Sequence, residues 1–251
     1  MRPHCCRRRV ALRVTFDTNT LDPITQPELA GSMRADCMAI HESLRAKRIE
    51  GFLCETVLTV EGGQRTFAPG RQPPQAGTVA RVTRALNLGI RILRAPRAGG
   101  APSEIANGAL NGALDLELYA RDENPATRLR RYESIAAAID ARGLGFARVL
   151  KLTHSLGRGA PSASASANLS RASSPADMTK VARALAEWAD GDSVAAHYGY
   201  ANDLFCTEDR AAKAGRDSVM HPAQRSWLNR VYAVEFVSIA ELAARLRPSI
   251  G

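Results

Sequence analysis

The 251-residue chain contains no uninterrupted apolar run near the roughly 20 residues that a membrane helix requires. No secretory leader is expected either. The arginines at 7, 8 and 9 are followed by a short apolar stretch that runs into Asp17, with no h-region of signal length and no small-residue cleavage site. Cysteine is scarce: the five are Cys5, Cys6, Cys37, Cys54 and Cys206, an odd number with no CxxC pair. A disulfide framework is therefore not expected, and free thiols in a reducing compartment are. His4 beside Cys5 and Cys6 has no second ligand pair at zinc spacing, so it reads as part of a floppy leader. Together these absences predict a soluble, cytoplasmic protein with no membrane partner. Lysine is nearly missing too, with four lysines (47, 151, 180 and 213) against thirty arginines.

What is present is an ordinary globular composition, 45% hydrophobic and 24% charged. The length suffices for a core that needs no disulfide staples. The net charge of +9 favours a polyanionic partner, because neutralising phosphates releases counterions. A GC-rich genome also produces arginine bias through codon usage, so charge alone is a modest pointer.

Residues 10–16 (VALRVTF) read as a strand, rich in branched and aromatic residues and ending at Asp17. The spacing of Leu29, Met33, Cys37, Ile40 and Leu44 predicts a helix over 28–48. A short strand is expected at 51–54, a helix beginning at 55–65, and a loop from Gly70 to Gly77. A helix at 78–88 and a strand at 89–94 follow, then helices at 103–121 and 126–142. Residues 146–152 fit a strand or a helix. The Ser/Ala/Gly stretch 157–176 lacks apolar anchors and reads as a flexible linker or surface loop. Helices at 177–189, capped by Asp177 or Ser174, and at 192–200 precede a strand at 203–206. The chain closes with a strand at 231–237 and a helix at 239–246, with Ser238 and Glu241 as a capping box. Strands alternating with helices imply a mostly parallel sheet with helices on both faces, an α/β/α arrangement. No internal repeat is visible. The domain plan is a basic leader (1–9) and one domain (10–248). Its core comprises 10–94 and 177–248, with a helical insertion over 95–156 and the linker at 157–176.

In a parallel sheet, ligands gather beyond the carboxyl ends of the strands. Asp17 closes the first strand, Glu61 is expected on the helix after the second, Asp192 opens a short helix, and Asp209 follows the strand DLFC. Carboxylates brought together repel one another, and the arrangement is comfortable only with a bound cation. Oxygen-only ligands favour Mg²⁺ or Mn²⁺ over zinc.

These segments resemble a family. FDTNTL at 16–21 resembles the opening motif of PIN domains, FLCETVLTVEG at 52–62 their second segment, and DLFCTEDRA at 203–211 their last motif. The resemblance covers roughly 10–66 and 180–246 and implies a PIN-like three-layer fold. It also implies Asp17, Glu61, Asp192 and Asp209 as metal-binding carboxylates, oriented by Asn19 and Thr207. Many members are VapC-like ribonuclease toxins; others process RNA. On this reading the chain is an Mg²⁺- or Mn²⁺-dependent ribonuclease. RNA is its substrate, and an antitoxin protein and a homodimer are further candidate partners. Glu55 is an alternative to Glu61, and Asp190 or Glu187 to Asp192. DSVAAH at 192–197 stands one residue short of the family's Asp–apolar–Ala–Ala spacing. Asp203 is an extra acid, either a strand-start residue or an outer-shell ligand. Arg210 could reach a phosphate or form a surface ion pair.

Taken singly, DTN after a strand also suits a plain turn, and TED a helix start. His197, beside Ala195–Ala196, reads as a packed histidine. Trp188, Trp227 and Tyr232 read as core or groove residues. A non-catalytic PIN-like binding module is the rival reading. A phosphatase-like enzyme would want an acid two residues after Asp17, where Asn19 stands.

Overall fold

The computed structural model describes residues 11–58, 75–98, 118–122, 124–156, 174–209 and 215–247. The expected leader at 1–9, most of the linker at 157–176, Glu61 and Arg210 lie outside them.

Five strands form one parallel sheet: β1 (Leu12–Phe16), β2 (Ile49–Cys54), β3 (Arg91–Leu93), β4 (Leu204–Cys206) and β5 (Glu235–Val237), in the order β3-β2-β1-β4-β5. Eight α-helices are present among the described residues. They are α1 (Thr18–Thr25), α2 (Arg34–Arg45), α3 (Gln75–Asn87), α4 (Pro125–Ala141), α5 (Phe146–Leu156), α6 (Pro175–Gly199), α7 (Pro222–Tyr232) and α8 (Ile239–Leu246). None of the helices among these residues is long and apolar enough to cross a membrane.

The period of two along the strands sorts the core into two layers. Val14, Phe16, Leu53, Leu204 and Cys206 face one side and pack with α1, α2, α3 and α8. Phe52, Cys54, Leu93 and Phe205 face the other and pack with α4, α6 and α7. Helices thus cover both faces, as a three-layer α/β/α fold requires. Helix α5 packs on the first half of α6 through Val149, Val181, Leu185 and Ala189. The segment read as an insertion supplies Tyr132, Ile135, Ala136 and Ile139 to the core, so α4 is part of the second layer.

Several expectations change. The helix read over 28–48 begins only at Arg34, because Gly31 adopts a positive φ of 57°. Leu29 is consequently 73% exposed. A helix at Thr18–Thr25 was not foreseen; Asp17 caps it and Pro23 lies inside it. The ambiguous 146–152 is helical. The described end of the segment read as a helix over 103–121 is extended, with Tyr119 bridged to Ile92. The two helices read at 177–189 and 192–200 are one, α6, capped by Ser174. Gly191 does not break it. A Cβ there would stand 3.0 Å from the Gly145 Cα, so close packing explains a glycine that costs the helix about 1 kcal/mol. The last strand begins at Glu235, since 222–232 is helical. Helix α8 carries the expected capping box.

Candidate acidic site

The strand order reverses between β1 and β4, and the crevice beyond their carboxyl ends is where an open α/β sheet binds ligands. Asp17 follows β1 and Thr207 follows β4. The backbone N–H of Asp17 donates to the Cys206 carbonyl at 2.9 Å, which extends the ladder to the site. That of Thr207 donates to Val237 at 2.9 Å, fixing the other side.

One Asp17 oxygen accepts from the Thr18 N–H at 2.7 Å, as a helix cap does. The other accepts from the Thr207 hydroxyl and the Asn19 amide, both at 2.6 Å. Thr207 Oγ1 also accepts from the Asp209 N–H at 3.0 Å. The Asn19 carbonyl accepts from the Glu208 N–H at 3.0 Å, so Asn19 ties both motifs together. Burial, and then the charge of Asp209, push the Asp17 carboxyl above its ordinary range, against the hydrogen bonds that favour its ionised form.

Arg225, in the first turn and a half of α7, stands in the field of Asp209, Asp17, Asp190 and Glu208. Burial pulls its guanidinium down from the usual arginine range. Its Nε and Nη2 are buried with no hydrogen-bond partner among the described residues, and the group lies 5.3 Å over the Phe236 ring. Arg225 was missed in the sequence because α7 was missed. The signal was there: Pro222 at the first helical position after a His221 cap.

The third carboxylate is placed differently from the expectation. Positions two apart on a helix point to opposite sides. Asp190 lines a cavity of about 780 Å³ together with Asp209. Asp192 is fully buried on the far side of α6, where it accepts from Tyr132 Oη at 2.7 Å and Trp188 Nε1 at 3.0 Å. It also forms an ion pair with Arg97, which in turn pairs with Asp140. Asp192 therefore sits in a structural cage of its own and shares no hydrogen-bond partner with Asp17. Glu187 is occupied with the N–H groups of Val219 (2.8 Å) and Gly145 (3.4 Å). Glu55 accepts from the Ala95 N–H on the β3 side, and burial raises its carboxyl. Asp203 sits at the amino end of β4, accepting from the Arg13 N–H at 2.7 Å. It belongs to the opposite, amino end of the strands and is a strand-start residue.

His197 is buried and hydrogen-bonded at 2.9 Å to Thr15, which accepts from Asn202 at 2.8 Å. Burial pushes its pKa down to about 3, so it packs as a neutral ring and cannot serve Asp17. Cys37, Cys54 and Cys206 are free and buried. Burial raises the Cys54 thiol to about 12, which makes it inert.

Carboxylates such as those of Asp17, Asp209 and Asp190 offer only oxygen donors, the kind that Mg²⁺ and Mn²⁺ prefer over nitrogen or sulfur. Burial and the charge of Asp209 both disfavour the Asp17 anion, which a divalent cation would favour. Among the described residues no group of three or more His, Cys, Asp or Glu side chains is placed to hold a metal ion. No family model, curated protein or solved structure matches the chain.

Proposed function

We propose that this chain is a divalent-metal-dependent nuclease that hydrolyses RNA phosphodiester bonds, on a PIN-like fold. One observation carries the reading. Residues 190 apart in sequence meet at the switch point of the sheet, where Thr207 and Asn19 aim the Asp17 carboxylate beside Asp209. Asp17 and Asp209 hold the metal in this reading, and Asp190 replaces Asp192 as the third ligand because it shares the Asp209 cavity. Glu61 completes the set on the resemblance of its segment. When bound, Mg²⁺ or Mn²⁺ lowers the pKa of a water and neutralises charge on the scissile phosphate. Thr207 and Asn19 hold the Asp17 oxygens in place, and Arg225, in the field of Asp209 and Asp17, supplies positive charge beside the scissile phosphate.

The test is cleavage of a fluorescent single-stranded RNA by the whole chain. EDTA is expected to abolish it and Mg²⁺ or Mn²⁺ to restore it. Arg225→Gln is expected to lower the rate at least about tenfold, the loss of one charge-assisted hydrogen bond. Cleavage that survives EDTA would reject the metal mechanism. RNA bound but never cut, across several sequences, would favour a binding module.

A further inference from the structure

Away from the acidic site, a cavity of about 880 Å³ opens over the β1–β2–β3 side of the sheet, beside the first turns of α4. Five guanidinium groups line it: Arg13, Arg91, Arg121, Arg128 and Arg131. Its two carboxylates are already spent. Glu50 pairs with Arg91 at 2.9 Å, and Asp122 takes the Arg128 Nε. Arg13 donates to the neutral Asn202 at 2.9 Å, and Arg131 lies 4.7 Å over the Tyr198 ring. Arg13, Arg121 and Arg131 therefore carry charge that no carboxylate pairs among the described residues. Arg128 Nη1 is buried with no hydrogen-bond partner there.

The helix beside the cavity points the same way. Asn124 caps α4, and both Asn124 and Thr127 line the cavity. The first turn holds no acid, and Arg128, Arg130 and Arg131 follow at once. The positive end of a helix dipole disfavours cations and favours anions, so arginines there are at odds with the helix unless an anion joins them. The ring of Phe52 holds Arg13 and Arg91 on either side, at 4.7 and 5.2 Å, and Tyr200 lies 5.1 Å under Arg128. Stacked guanidiniums are preorganised for the bidentate grip that phosphoryl oxygens accept.

We infer that this cavity binds a phosphorylated small molecule, gripped through its phosphoryl groups by Arg121, Arg128 and Arg131. The volume lies in the range of about 300–1,000 Å³ typical of small-ligand sites. A second, anion-specific site on the sheet face, separate from the acidic edge, follows from this assignment. It stands whether or not the nuclease reading does.

The experiment is calorimetric titration of the full chain with pyrophosphate, adenosine diphosphate and a short single-stranded RNA, against chloride at matched ionic strength. Pyrophosphate or the diphosphate is expected to bind wild type at least about tenfold more tightly than Arg121→Gln/Arg131→Gln. Neither arginine has an acid partner to orphan among the described residues, so the double variant is expected to melt like wild type. Arg13→Gln, tested alone, is expected to weaken binding less. Asp17→Asn is expected to bind these anions unchanged, which separates this test from that of the nuclease. Equal binding by wild type and the double variant would overturn the proposal. So would no binding of either phosphate, or a loss confined to the RNA.

Discussion

Asp17 and Asp192 are both aspartates at the heart of the molecule, and the protein treats them in opposite ways. Asp192 is caged by a guanidinium, a phenol and an indole; burial raises its carboxyl too, but the charge beside it is that of Arg97, which works against the rise. Asp17 is held by three neutral donors, and the nearest charge raising its pKa is another carboxylate. The lesson concerns use. A carboxylate with a built-in cation stabilises packing, whereas one oriented by neutral donors beside another carboxylate is the one proposed to take a cation from outside. Sequence position alone does not separate the two, since both follow the expected pattern of an acid at the opening of a helix.

The sharpest way to break this contrast is catalytic. Asp17→Asn is expected to reduce RNA cleavage by orders of magnitude while leaving a cooperative melt. Asp192→Asn, assayed per folded molecule, is expected to retain cleavage. If the second variant folds and is dead, Asp192 is a ligand and the contrast fails.

The next effect is on stability. Asp192→Ala leaves Arg97 without its buried partner, and removing one member of such a pair costs about 3–5 kcal/mol. Urea denaturation measures this as a lower midpoint at an unchanged slope. A loss under 1 kcal/mol would mean that Arg97 reaches water easily and the cage is unimportant.

A smaller step sharpens the same point. Tyr132→Phe removes one donor to Asp192 and is expected to cost about 1–3 kcal/mol, with no change in cleavage. Thr207→Val removes one donor to Asp17 and is expected to show the reverse pattern, a small stability change and a slower reaction.

The smallest effect is in pH dependence. The folded-state pKa of Asp17 is raised, so the folded protein binds its proton more strongly than the unfolded chain does. Stability from this group is complete below the ordinary carboxylate pKa of about 3.9 and is lost as pH rises through the raised value. Wild type is therefore expected to lose stability relative to Asp17→Asn across that window. Melting curves of the two proteins in EDTA at several pH values test it; parallel curves would show that Asp17 ionises without penalty. Asp22 moves the other way. Against burial that would raise it, Arg81 and Arg84 hold its carboxyl low, so its small contribution fades only as pH falls through the lowered value.

Much of this architecture was legible from local pattern. Strands β1, β2 and β4, the capping box at Ser238 and Glu241, and the strand–Asp and strand–Thr motifs are short-range signals, and short-range physics sets them. The alternation of elements implied the parallel sheet. What was not legible depended on distant partners. Asp192 read as a ligand because Arg97, 95 residues away, gives no sign in sequence that it will reach across. Helix α6 read as two because Gly191 normally weakens a helix, and only the approach of Gly145 makes a glycine the better choice. Helix α1 was hidden because Pro23 breaks the apparent pattern, although Asp17, Thr20 and Leu21 start it well. Arg225 was hidden with its helix.

The pairing of β1 with β4 has one more consequence, in the order of assembly. Strand β1 finds one neighbour early, in β2, but its other edge stays open until Leu204–Cys206 exists to fill it. Joining segments so far apart carries a loop-closure cost that local helices do not bear, and contacts of this kind slow folding. A chain growing from its first residue would therefore hold Asp17 without Thr207 or Asp209 for most of its synthesis. The acidic site could form only once nearly the whole domain was present, so no partial product could carry it.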